Sequence, residues 1–149
     1  MRARDLVTPC PTVRLDTSAR QAAALLAELD LPGLVVVDQR GRPLTVLPGT
    51  QVLRLGVPAY IQDDPTLAAV VDEAHADVFL RELGDRSVAD CLPGQPKELP
   101  VVDPDATVLE VAALMARTRS PIVAVADDTD GTMLGAVTLA VLMDRIVAA

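Results

Sequence analysis

Apolar and polar positions alternate along the chain with two distinct periods, and the same succession of periods occurs twice. Leu34 to Val37 and Ile122 to Ala126 are unbroken apolar runs, the pattern of short strands covered on both faces. Each run is preceded by an Ala/Leu-rich stretch at helical spacing, from about Ser18 to Leu29 and from Thr107 to Arg117; Val108, Val111, Ala112 and Met115 fall at i, i+3, i+4 and i+7. A proline, Pro32 or Pro121, separates helix from strand. Asp16 and Asp105 are the expected helix N-caps. Each strand runs into a Gly-containing turn, Gln39-Arg40-Gly41-Arg42 or Asp128-Thr129-Asp130-Gly131, which predicts a hairpin and a returning strand. Short extended segments at Val13 to Leu15 and Val101 to Val102 open the two copies. Helices over Thr50 to Leu55 and Leu139 to Val147 close them. The order per copy is β-α-β-β-α.

Direct comparison of the halves supports a duplication. Shifting the chain by 89 positions aligns Asp16–Asp38 with Asp105–Asp127 without a gap, and eight of these 23 positions are identical, among them Asp16/Asp105, Pro32/Pro121 and Asp38/Asp127. One extra turn residue continues the match through Gly41/Gly131 and Leu44/Leu134. Repeats at 1–56 and 87–149 then flank a connector at 57–86. Within that connector Val57-Pro58 and Asp63-Asp64-Pro65 read as turns, and the spacing of Leu67, Val70, Val71, Ala74 and Val78 predicts one helix from Pro65 to about Leu83.

Composition narrows the chemistry. With half its residues hydrophobic, a chain of 149 residues buries roughly two thirds of its unfolded surface. One Tyr, one Phe and no Trp leave almost no ring for stacking bases, and a net charge of −8 repels a phosphate backbone, so nucleic acid is not an expected partner. No apolar run approaches the roughly 18 residues of a membrane span, and no signal-peptide pattern follows Arg2 and Arg4, so the expected location is the cytoplasm. Cys10 and Cys91, with the single His75 and no C-x-x-C pair, read as two reduced thiols and not as a metal or redox site. The acidic turn at 127–131 fails as a calcium loop: with Gly131 at position 6, Ala126 and Val137 occupy positions that need carboxylates. No nucleophile–His arrangement, P-loop or G-x-G-x-x-G is present, and no catalytic residue or enzyme activity is expected.

The ordered pair of units, with Ala3-Arg4-Asp5-Leu6-Val7-Thr8-Pro9 leading into the first and Ser87-Val88-Ala89-Asp90-Cys91-Leu92-Pro93 into the second, resembles the CBS (cystathionine-β-synthase-type) domain pair. The resemblance implies an α+β fold: a tandem pair of β-α-β-β-α units with pseudo-two-fold symmetry. It implies two clefts that take adenosine-containing ligands such as AMP, ATP or S-adenosylmethionine, and assembly as a homodimer. Each cleft in that family is built from a lead-in segment, the residues before the Pro-led strand and a G-h-x-[ST]-x-x-[DN] motif at the end of each copy. Carried onto this chain, the ligand-binding positions are Thr8 in the lead-in, Arg119, Ser120, Pro121, Ile122 and Thr138 in the second copy, and Gln51 in the first.

The motif is altered in both copies. The second reads Gly135-Ala136-Val137-Thr138-Leu139-Ala140-Val141, retaining the hydroxyl but placing Val141 where a ribose-binding carboxylate is expected. The first has Pro48 in place of the hydroxyl and Gln51 in place of the carboxylate. Thr138 is equally suited to capping a helix. Two functions follow: a regulatory module that senses an adenosine-containing ligand and signals to a partner protein, or an interaction module that has lost nucleotide binding and acts through its dimer or partner surface.

Overall fold

The structure, a computed structural model, describes all residues except 30, 32, 58, 67–80 and 149. The described elements are α1 (Ala3–Leu6), β1 (Thr12–Val13), α2 (Ala19–Leu29), β2 (Gly33–Val37), β3 (Pro43–Pro48), α3 (Gly49–Gly56), α4 (Ala59–Asp63), α5 (Val88–Cys91), β4 (Val101–Val102), α6 (Val108–Thr118), β5 (Ile122–Ala126), β6 (Met133–Thr138) and α7 (Leu139–Ala148). Two three-stranded mixed sheets result, ordered β1-β2-β3 and β4-β5-β6. The β-α-β-β-α order read from the sequence is present in both copies, each preceded by a four-residue helix that periodicity does not reveal. Periodicity also gives no sign of α4. The predicted connector helix falls mostly on 67–80, outside the described residues, and the helical residues 81–84 run one position beyond its expected end.

The compact units cut across the duplication. One gathers Met1–Thr12, Val35–Val46 and Lys97–Ala149; the other gathers Val13–Leu34 and Leu47–Pro96. Val35 and Val37 pack against Ile122 and Ala124 in the first unit, and the lead-in segments are exchanged. In the first unit Ala3 N–H donates to Ala106 O (2.8 Å) and Arg4 N–H to Pro104 O (3.0 Å), seating α1 on the second copy. In the second unit Val88 N–H donates to Thr17 O (2.8 Å) and Ala89 N–H to Leu15 O (3.0 Å), seating α5 on the first. Thr17 and Leu15 match Ala106 and Pro104 at the repeat offset, so the two dockings are equivalent. In each lead-in helix an aspartate three residues on accepts the N–H at the start: Arg2 N–H to Asp5 (2.8 Å) and Ser87 N–H to Asp90 (2.9 Å). That N–H bond holds Asp90 below the usual carboxylate range.

In the first unit, strand β5 is buried at every position, as its apolar run requires. It pairs parallel with β4 (Val101↔Ala124) and antiparallel with β6 (Ile122↔Thr138). Alternation sends Val123, Val125 and Val137 to one face, against Ala3, Leu6, Val111, Met115 and Leu142, and Ile122, Ala124 and Ala136 to the other, against Val35, Val37 and Leu99. In the second unit α2, α3 and α5 pack together, with Ala22, Val52 and Val88 buried.

The helix starts correct one expectation. Thr107, not Asp105, caps α6: its hydroxyl accepts Glu110 N–H (3.1 Å) while Glu110 accepts Thr107 N–H (2.7 Å), a reciprocal capping box. Likewise Ser18, not Asp16, accepts Gln21 N–H (3.1 Å) at the start of α2. A cap must sit next to the first helical residue for its oxygen to reach the N–H three positions on. Asp105 lies too far back, and instead ion-pairs with Arg4 on the surface.

The matched aspartates Asp38 and Asp127 shape the two hairpins. The Asp38 carboxylate accepts Arg40 N–H and Arg42 N–H (2.8 and 2.9 Å), and Asp127 accepts Thr129 N–H (2.7 Å). Gly41 and Gly131 complete the turns at φ +81° and +76°, where a side chain is strained. Met133 N–H then donates to Gly41 O (3.0 Å), tying the two turns together within the first unit. Buried Thr45 adds a bond from its hydroxyl to Lys97 O (2.6 Å).

This packing makes two substitutions informative. A Cβ built on Gly135 lies 2.6 Å from Val7 Cγ2 and 2.7 Å from Thr8 O. Because one neighbour is backbone, Gly135→Ala should destabilise the chain by about 1–3 kcal/mol, read as a lower urea midpoint. A substitution that leaves the midpoint unchanged would show that the lead-in moves freely. Asp38 has its carboxyl lowered chiefly by the Arg42 N–H bond. A lowered folded value contributes stability above the unfolded value and loses it as pH falls through the folded one, so Asp38→Asn should flatten the acid limb of stability below about pH 4. Parallel acid limbs for the two proteins would refute this.

Candidate functional site

Six of the seven site residues expected from the sequence come together in the first unit, at the end of the sheet where β5 begins and β6 ends. The lead-in supplies Thr8, which pairs with Ala136 on β6: Thr8 N–H donates to Ala136 O (2.9 Å) and Ala136 N–H to Thr8 O (3.1 Å). Ile122 lies directly opposite Thr138. Since Ala136 and Thr138 are two apart, strand alternation places Thr8, Ile122 and Thr138 on one face. Gly135 makes this approach possible, because any side chain there would occupy the space of Val7 and Thr8.

The connection from α6 to β5 supplies the rest. Arg119 ends α6 in the left-handed conformation (φ 55°, ψ 30°), the one described non-glycine with positive φ. That backbone turn directs the chain from α6 into Ser120-Pro121. Its side chain is exposed, and a non-glycine held there carries a modest backbone cost. The Ser120 hydroxyl donates to Ile122 O (2.7 Å), and Pro121 O accepts Leu139 N–H (2.9 Å), stitching this connection to the first turn of α7.

Thr138 caps α7. Its Oγ1 accepts Val141 N–H at 3.3 Å, which leaves the hydroxyl hydrogen available to a ligand. Val141 is half-buried against the core of the unit, not presented as a polar group.

Gln51 stands apart, on α3 in the second unit. Pro48 precedes that helix and offers it no side-chain cap. Gln51 lines a cavity of about 600 Å³ with Arg54, Gln62, Asp63, Asp90 and Leu92. Gln62 shapes this cavity by donating to Arg54 O (3.0 Å) and Val57 O (2.6 Å), which closes the end of α3. Reading along the chain misses this contact, because nothing in the local pattern marks a helix at α4. A Gln seven residues after the last apolar position of a helix is too common to mark such a closure.

Cys91 also lines the Gln51 cavity. Burial raises both Cys10 and Cys91, with Asp90 adding to the rise at Cys91, which disfavours the thiolate. Among the described residues no group of His, Cys, Asp and Glu is placed to hold a metal ion. Nor is any described helix long and apolar enough to cross a membrane.

Two mixed sheets and an exchanged pair of lead-ins define a tandem α+β fold, and comparison with known proteins agrees. The CBS domain model matches residues 3–50 and 96–148. A solved CBS domain-containing protein of unknown function from Kribbella flavida is 49% identical, with 99% of each chain covered and a TM-score of 0.90. The chain belongs to the CBS domain family. The CBS-pair protein CBSX2 from Arabidopsis thaliana shares the fold at 20% identity and a TM-score of 0.73, over 99% of this chain and 94% of that one. A structure of CBSX2 in complex with AMP aligns at 21% identity and a TM-score of 0.68, covering 99% and 96%. No match is found among curated proteins. CBS pairs commonly serve as regulatory modules that bind adenosine-containing ligands.

Proposed function

We propose that this chain is a non-catalytic regulatory module whose second-copy cleft takes an adenosine-containing ligand, with AMP, ATP and S-adenosylmethionine as the candidates, and passes the change to a partner protein. The observation that carries this reading is the convergence of Thr8, Arg119, Ser120, Pro121, Ile122 and Thr138 at one end of the β4-β5-β6 sheet. A hydroxyl at a helix N-terminus, with the dipole behind it and a guanidinium nearby in sequence, suits a phosphate. The AMP bound by CBSX2 supports adenosine as the ligand class. Gln51, on the cavity of the other unit, is proposed as a weaker first-copy counterpart.

A ligand that binds only the native state must raise the melting temperature. Thermal shift and calorimetry with AMP, ADP, ATP, S-adenosylmethionine and NAD therefore test the proposal, and no shift at millimolar ligand would sink it. Where binding is seen, Thr138→Ala should weaken it more than Gln51→Ala; the reverse order would move the site to the first copy.

One further observation favours the interaction reading alongside the sensor. Leu139, Met143, Ile146 and Val147 form an exposed apolar stripe along α7, with Val147 78% exposed. We propose that this face joins two copies as a homodimer. Light scattering should give twice the chain mass, with Met143→Glu returning the monomer; a native monomer at micromolar concentration would refute the assignment.

A further inference from the structure

The cavity that holds Gln51, in the second unit, brings together opposite charges that do not pair. Gln51 and Arg54 stand three residues apart on α3, so both lie on one face of that helix and line the same space. Asp63 at the end of α4 and Asp90 on α5 line it too. The ion pairs among the described residues join Arg4 to Asp105 and Arg42 to Asp38, and Arg54 makes none with either carboxylate of its own cavity. A gap therefore separates them. Gln62 gives both hydrogens of its amide nitrogen to Arg54 O and Val57 O, which pins α4 to the end of α3 and fixes the walls of that gap. Asp90 accepts the Ser87 N–H and hydroxyl on Oδ2 alone, leaving Oδ1, while the Asp63 carboxylate has no bond among the described residues.

The charges restrict what the gap can take. A bare anion there meets two carboxylates as well as Arg54, and a bare cation meets the guanidinium. A small molecule that carries both charges satisfies both walls. Leu55, Val57 and Leu92 line the remainder, so its third substituent is apolar. The volume of about 600 Å³ lies within the roughly 300–1,000 Å³ of small-molecule sites. We infer that this cavity binds an α-amino acid with an apolar side chain, its carboxylate held by Arg54 and Gln51 and its ammonium by Asp63 and Asp90. This goes beyond the adenosine reading, which is carried by the cleft of the first unit, and gives the Gln51 cavity a ligand class of its own.

Calorimetric titration of the full chain with L-leucine, 4-methylpentanoate and 3-methylbutylamine tests the assignment, because the second is leucine without its ammonium and the third is leucine without its carboxylate. Leucine should bind, with each analogue weaker by about tenfold or more, since each lacks one charge-assisted contact. Arg54→Gln and Asp63→Asn, both at exposed positions, should each weaken leucine by a similar factor. Either analogue bound as tightly as leucine would show that only one charge, or none, is read, and would overturn the inference. So would the absence of binding by leucine, isoleucine, valine and methionine at millimolar concentration. Leucine displaced by AMP would make the cavity a nucleotide site and overturn it as well. AMP binding without amino-acid binding would leave the adenosine reading standing alone, and the converse would leave this inference standing alone. The analogue comparison on the native chain decides the matter even where a substitution impairs folding.

Discussion

The pairing of Thr8 with Ala136 is the contact on which the first unit depends. Its two backbone bonds contribute about 1 kcal/mol each, a modest sum, but their position gives them weight. They hold the lead-in at the edge of β6, which lets α1 dock with Ala3 and Leu6 buried among Val111, Met115 and Val137. The close approach exists only because residue 135 has no side chain. A glycine in a strand interior weakens the strand by itself; here that local loss is offset by a whole segment brought into the core.

The same contact assembles the site. Thr8 is over a hundred residues from Thr138 along the chain, yet strand alternation across the Thr8–Ala136 and Ile122–Thr138 pairs sets their side chains on one face. The fold and the proposed site thus share one constraint. The second unit repeats the docking with α5 against Thr17 and Leu15, but its chain then departs: Pro93 stands where Thr8 would be, and pairing resumes only at Glu98 with Thr45 in the first unit. A proline has no N–H to give a strand. The loop so released borders the cavity that holds Gln51. The two copies have therefore diverged in the parts that would meet a ligand, while the helix-docking bonds stayed equivalent.

Side-chain chemistry around the site is sparse, and every hydroxyl there also holds the fold. Thr8 bonds Ala136 O, Ser120 bonds Ile122 O, and Thr138 caps α7. Rigid hydroxyls of this kind are preorganised, so a ligand that uses their remaining capacity meets little ordering cost. Two aspartates of the acidic turn are likewise held by local bonds, with Asp130 lowered by the N–H of Thr132 and Asp127 accepting from Thr129. That acidity shapes a hairpin.

Periodicity indicated the strands and the four long helices flanking them, because burial on one face or two imposes periods of 3.6 and 2 on any chain that folds this way, and the self-alignment of the chain indicated the duplication. Glycine-bearing turns were legible for the same local reason: only certain residues tolerate φ near +80°. The family resemblance picked out seven candidate residues, of which six lie near one another in the first unit. What the chain could not disclose was which copy each lead-in would join, since Asp5 and Asp90 cap their helices identically wherever those helices dock. Nor did it reveal that Thr107 and Ser18 displace the aspartates as caps, which turns on a two-residue difference in where each helix begins. Gly135 was visible as a motif letter, but its reason, the backbone of Thr8 packed against it, belongs to tertiary structure alone. Local preference is written in neighbouring residues; the choice of a distant partner depends on three-dimensional fit, which no period along the chain records.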